Sequence, residues 1–195
     1  MLTSRHYRNI ALVGFMGVGK STVGQILAAT LEFEFLDTDR SIEAKAGYRI
    51  TEIFKHEGES AFRDMEIQLI SELETRSGLV ISTGGGCIVR PENLASLRRH
   101  SLIVCLWASP STIYERVRHQ THRPLLQTPD SLAKINELLE IRRPSYQEAD
   151  ILVGVDFRGA SDTARHVAGS FRRLQMSLPP TVSLGVAPLT KVIPS

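Results

Sequence analysis

Apolar residues fall along this chain in short solid runs, separated by longer stretches in which they recur every three or four positions. Ile10-Ala11-Leu12-Val13 is one such run, and residues 79–82 and 102–107 are others; their length suits strands buried on both faces. Residues 33–36 and 151–155 give two further short strands. Between these runs, Val23, Ile26, Leu27 and Leu31 share one face of a helix over 20–31. Phe62, Met65, Leu69 and Leu73 do the same for a helix that starts near Glu57 and ends before Gly78. A polar helix is expected over 40–46, stopped by Gly47, and a helical turn over 50–54. Further helices are expected from Pro91 to about 99, from the Ser109 cap to about 119, over 132–146 with a bend or stop at Pro144, and over 160–174. Residues 119–129 are polar, with two prolines and no period, and are expected to form a mobile loop. From Ser177 onward four prolines and no apolar period predict a disordered tail.

Strands alternating with helices predict an α/β fold of three layers, a parallel sheet covered on both faces. One domain is expected over 1–176, followed by the tail 177–195. Ligands of such sheets sit beyond the carboxyl ends of the strands, and three chemically suggestive stretches fall there.

The first is Gly14-Phe15-Met16-Gly17-Val18-Gly19-Lys20-Ser21, which fits the phosphate-loop pattern G-x-x-x-x-G-K-[ST] in its required setting between a strand and a helix. Its glycines let backbone N–H groups turn toward phosphate oxygens, and the helix start adds the positive end of its dipole. Residues Gly17 to Thr22 are therefore nucleotide-binding candidates, with Lys20 reaching the terminal phosphates and Ser21 a magnesium ion. The second stretch is Asp37-Thr38-Asp39; read as extended chain, it puts both carboxylates on one side, one toward the metal and one toward an acceptor hydroxyl. The third, Gly84-Gly85-Gly86, is backbone that a ligand can approach closely.

Arginine placement adds to the picture. Arg63 has Glu66 three residues on to orient it, and Arg142 precedes Arg143-Pro144-Ser145-Tyr146; such forks match a carboxylate. Arg116 and Arg123 flank and enter the polar loop, where they can close over ATP, whereas Arg98, Arg99, Arg172 and Arg173 read as surface charge. His56, His119 and His122 lack the spacing of a zinc site, and His6, His100 and His166 stand out no more.

Bulk properties narrow the partners. The 195 residues are 42% hydrophobic and 23% charged, ordinary for a soluble domain, and the net charge of +2 gives no argument for nucleic acid or membrane. Cys87 and Cys105 lie in or beside apolar segments and are expected as buried, reduced thiols, which suits the cytoplasm. No signal-peptide pattern follows the charged residues 1–8.

The ordered set G-F-M-G-V-G-K-S-T, F-L-D-T-D, E-I-F-x-x-E-G-E-x-x-F-R-x-x-E, G-G-G, R-P-L-L and R-R-P-S-Y-x-E-A resembles the shikimate kinase family over about residues 9–174. That resemblance implies a five-stranded parallel sheet in order 2-3-1-4-5 and transfer of the γ-phosphate of ATP to the 3-hydroxyl of shikimate, a step of chorismate and aromatic amino-acid synthesis. It implies that Lys20 and Ser21 serve the phosphates and Mg²⁺, that Asp37 serves the metal, and that Asp39 takes the acceptor hydroxyls. It further implies that Arg63 and Arg142 clamp the shikimate carboxylate beside Gly84, Gly85 and Gly86, in a pocket lined by Phe54 and Phe62 within acceptor-binding helices at 38–76. Arg123, in a lid at 119–129, would meet the phosphates, and Arg116 the adenine. The segment Asp156-Phe157-Arg158 matches the family's adenine loop only loosely, and the tail has no counterpart in its core. A monomer is expected. The alternatives are a kinase of this fold for another acceptor, such as gluconate or a nucleoside monophosphate, and a ligand-sensing module without turnover. The sensing module is disfavoured because eight residues before the first strand leave no room for an attached helix-turn-helix.

Overall fold

A computed structural model describes residues 5–118 and 130–177. The expected lid at 119–129 with Arg123, and the tail beyond Ser177, lie outside the described residues. Five strands, β1 (Asn9–Val13), β2 (Glu34–Asp37), β3 (Leu79–Ser82), β4 (Ser101–Trp107) and β5 (Ile151–Gly154), form one parallel sheet in the order β2-β3-β1-β4-β5. β1 lies at its centre, in register from Asn9 opposite Ser101 to Val13 opposite Cys105 on β4, and from Ile10 opposite Val80 to Leu12 opposite Ser82 on β3. Both faces of β1 are covered, so its residues are buried without alternation.

The helices are α1 (Lys20–Leu31), α2 (Thr38–Ala46), α3 (Ile50–His56), α4 (Gly58–Glu72), α5 (Pro91–His100), α6 (Pro110–Val117), α7 (Ser131–Gln147) and α8 (Ala160–Ser177). From β1 the chain moves across β3 to β2, and every later crossover moves back the other way. Right-handed crossovers therefore put α1 on one face, where it packs against α8, and α4 to α7 on the other. One core fills both sides of the sheet, while Ile42, Ile53, Phe62 and Leu69 of α2, α3 and α4 form a small separate cluster.

Several expected boundaries move. The second strand starts at Glu34 and not Phe33, and α2 begins at Thr38, two residues before the expected start, because the Asp37 carboxylate accepts from the N–H groups of Asp39 and Arg40 as an N-cap. Pro144 does not end α7: the helix runs on to Gln147, its last turn held by the buried ring and hydroxyl of Tyr146. A short 3₁₀ turn, Cys87–Val89, follows the three glycines and was not foreseen. His100, which does not stand out in the sequence, has a structural place. It is wholly buried, bonded to Asn9 and Ser101 at the amino ends of β1 and β4, and burial pushes its imidazole below the usual value. Cys87 and Cys105 are free and buried; burial raises both thiols, that of Cys105 to about 12.

Candidate active site

The carboxyl ends of β1, β2 and β3 set the phosphate loop, Asp37 and Ser82 side by side, Asp37 being in register with Ser82. Gly14 begins the loop at φ 129°, and a Cβ there would lie 2.3 Å from the Leu106 carbonyl oxygen, so no other residue fits. Phe15 and Val18 point into the core and anchor the loop, which ends at the amino end of α1. Lys20 is buried, and its Nζ donates to the carbonyl oxygens of Gly14 and Phe15 at 2.9 Å each. Ser21 Oγ donates to Asp37 Oδ2 at 2.8 Å and lies 3.2 Å from Ser82 Oγ.

Asp39 departs from the expected geometry in an instructive way. It is not in extended chain beside Asp37 but in the first turn of α2, its N–H bonded to Asp37 Oδ1 at 3.1 Å. The helical turn sends the two carboxylates to different neighbours. Asp37 faces Ser21, whereas Asp39 Oδ1 and Glu66 Oε1 crowd Gly84 so closely that a Cβ there would lie 2.7 and 2.8 Å from them.

Arg63 and Arg142 converge from α4 and α7 on the glycine segment. Arg63 is bonded to Glu66 at 2.6 Å and Glu59 at 2.7 Å, over the Phe62 ring, with Gly86 against its guanidinium. Burial works against the Arg63 charge, but Glu66 and Glu59 more than offset it and raise its pKa. Burial pushes the Glu66 carboxyl up; Arg63 pulls it back, Asp39 adds to the rise, and Arg142 lowers it. Arg142 is 8% exposed, donates to Gly85 O at 3.2 Å and lies over the Phe15 ring. Phe54 meets Phe62 edge to face at 5.1 Å.

Two cavities result. One of about 620 Å³ is lined by Phe54, Phe62, Arg63, Arg142 and all three glycines, Gly84 to Gly86. The other, about 470 Å³, is lined by Gly17 to Thr22, Asp37 and Arg116. Met16, Asp39 and Gly85 line both and form their common wall. Arg116 is on α6, within the helix expected from Ser109, and donates to Val155 O at 3.0 Å and Val18 O at 3.4 Å. Asp156 accepts from the N–H and hydroxyl of Ser109, which ties the loop after β5 to the start of α6. Residues that the sequence reading passed over also line these spaces, Arg40, Glu43 and Arg49 in the larger and Ser82 and Thr83 in the smaller, where Arg158 of the loosely matched adenine loop joins them. Ser82 and Thr83 stand directly before the three glycines at a strand end, a signal that could have found them. Nothing comparable marks Arg40 or Arg49.

A phosphate loop between β1 and α1 on a 2-3-1-4-5 parallel sheet, with a second cavity across a shared wall, defines a phosphate-loop kinase for a small acceptor. The family described as shikimate kinase matches residues 16–170. A shikimate kinase of Ralstonia nicotianae is 49% identical over 140 residues, 72% of this chain and 74% of that protein. One from Thermodesulfovibrio yellowstonii is 41% identical over 167 residues, 86% of this chain and 96% of that protein. Among solved structures, shikimate kinase from Acinetobacter baumannii in complex with shikimate superposes with a TM-score of 0.82 at 38% identity, covering 87% of this chain and 95% of that one. The chain belongs to the shikimate kinase family, and it is an enzyme that phosphorylates shikimate with ATP as donor. Among the described residues, no helix is long and apolar enough to cross a membrane.

Proposed function

We propose that the smaller cavity holds ATP, the larger one holds shikimate, and the γ-phosphate passes between them beside Asp39 to the 3-hydroxyl. The observation that carries this reading is that Asp39 is the one carboxylate lining both cavities among the described residues. A group that must orient an acceptor hydroxyl against a phosphate has to stand where the two sites meet.

In this reading the N–H groups of Gly17, Val18, Gly19, Ser21 and Thr22, with the Lys20 ammonium, hold the donor's phosphates, and Arg116 borders the nucleotide on α6. Ser21 and Asp37 suit Mg²⁺, since they offer hard oxygen donors 2.8 Å apart beside the phosphate loop. Magnesium, when bound, neutralises phosphate charge. Arg63 and Arg142 hold the shikimate carboxylate, and Gly84, Gly85 and Gly86 let the ring lie against backbone. As the acceptor oxygen bonds to phosphorus, the bond to the bridging oxygen of ADP breaks and the hydroxyl proton passes to Asp39. Arg123, outside the described residues, is the further candidate to meet the phosphates. Residues 1–176 act as one kinase domain, since one chain lines both cavities; we assign it to the cytoplasm, as a monomer.

The clamp is open to test. Arg142→Ala, and separately Arg63→Ala, should raise the KM for shikimate about 10–100-fold, since each removes a charge-assisted contact worth about 1.5–3 kcal/mol. ATP affinity measured alone by calorimetry should stay within about twofold. A collapse of ATP affinity with an unmoved shikimate KM would show that these arginines serve the donor instead.

A further inference from the structure

We propose that Tyr146 is a positioning residue for acceptor binding: its hydroxyl holds the Gly85 carbonyl in the wall between the two cavities, and so leaves the Arg142 guanidinium able to engage the acceptor. The proposal rests on the acceptor role of Arg142 given above. Two donors from successive turns of α7 meet one oxygen. Tyr146 Oη donates to Gly85 O at 2.7 Å, and Arg142 Nη1 donates to the same atom at 3.2 Å. A carbonyl oxygen has two lone pairs and can take both. The Gly85 peptide is pressed between α7 and the phosphate loop, because a Cβ added there would lie 3.1 Å from Met16 N and 3.7 Å from Gly14 O and Arg142 Nη1. Its position therefore sets the width of the acceptor site and its spacing from the donor phosphates.

Without the phenol, Arg142 alone would satisfy this carbonyl. An acceptor carboxylate recruiting Arg142 would then have to break that bond and leave a poorly solvated C=O unpaired, which is costly. With the phenol present, Arg142 can turn toward a carboxylate while Gly85 stays bonded. Tyr146 is 2% exposed, and burial raises its pKa, so the O–H remains a donor throughout the working pH range. A purely packing role would need only the ring, which meets Trp107 edge to face at 6.3 Å. The hydroxyl needs a separate reason.

Trp107 is the chain's single tryptophan, so its fluorescence reports on this corner without any turnover. The experiment uses Tyr146→Phe in the full chain. Phenylalanine keeps the ring and the Trp107 contact, so the fold is retained and only the donor is lost. The KM for shikimate and the Kd from Trp107 fluorescence titrated with shikimate alone should both rise about tenfold. The kcat at saturating shikimate and the ATP affinity should stay within about threefold. In an Arg142→Ala background the same change should cost less than about twofold, because the effect runs through that arginine. A fall in Tm with unmoved KM and Kd, or full additivity with Arg142→Ala, would overturn the proposal. If Arg142→Ala itself leaves the shikimate KM unchanged, it is the clamp assignment that has failed.

Discussion

Asp39→Asn should lower kcat/KM for shikimate by at least about 100-fold, the lower end of what general-base and positioning effects supply. Asparagine keeps the shape of the side chain and the backbone bond from residue 39 to Asp37 Oδ1, which fixes where the side chain starts. It loses the charge and nearly all of the basicity. The acceptor hydroxyl would then keep its proton as the new bond to phosphorus forms. Nucleotide affinity should move by less than about threefold, because the phosphate loop, Ser21 and Asp37 are untouched. Removing one negative charge from the first turn of α2 should cost no more than about 1 kcal/mol of stability. Steady-state kinetics at saturating MgATP, with a nucleotide titration of the same preparation, measure both quantities. Phosphorylation of shikimate by this variant at near wild-type efficiency would remove Asp39 from the acceptor side.

Lys20→Met should have a larger effect, a loss of kcat of about 10³-fold or more, because the only ammonium within the phosphate loop disappears where charge develops during transfer. There is also a structural consequence. Lys20 Nζ serves the carbonyl oxygens of Gly14 and Phe15 at 2.9 Å, and methionine cannot donate to them. The loop should therefore lose order and the melting temperature should fall by a few degrees, about what one or two lost hydrogen bonds produce in a domain of this size. Lys20→Arg separates the two effects: it keeps donors and a charge but replaces the compact ammonium with a larger planar fork, so stability should recover more than turnover does. A folded Lys20→Met protein with wild-type turnover would contradict the phosphate-loop assignment.

Much of this was legible because the chemistry sits on strongly patterned elements. The solid apolar runs at residues 10–13 and 102–107 have the length of buried strands, and a glycine-rich loop directly after the first of them has a defined place in such a sheet. Arg63 and Glu66, three apart on a helix, were bound to meet. What was misread depended on local competition. Asp37-Thr38-Asp39 looks extended when only its distance from the strand is considered. The capping power of Asp37, satisfied by the N–H groups of Asp39 and Arg40, starts the helix at once and parts the two carboxylates. Pro144 was expected to bend or end α7 on its own account. Three residues remained in the helix because Tyr146 is fixed from outside, by burial and by Gly85 O, which no local rule reveals. Arg116 was legible as a helical residue beside the polar loop, but its partners were not. Its partners, Val18 and Val155, are 98 and 39 residues away in sequence, and only the folded sheet brings them together. Arg40 and Arg49 entered the larger cavity for the same reason.

The central claim is that this chain moves phosphate from ATP to shikimate through a site in which Asp39 faces both cavities. Phosphorus NMR of the purified wild-type protein with MgATP and shikimate tests it most directly, with ADP release followed in parallel across a panel that includes gluconate and nucleoside monophosphates. The expected result is one shikimate phosphate ester for each ADP formed, with shikimate giving the highest kcat/KM of the panel. Shikimate binding without ester formation, or faster phosphorylation of another acceptor, would contradict it.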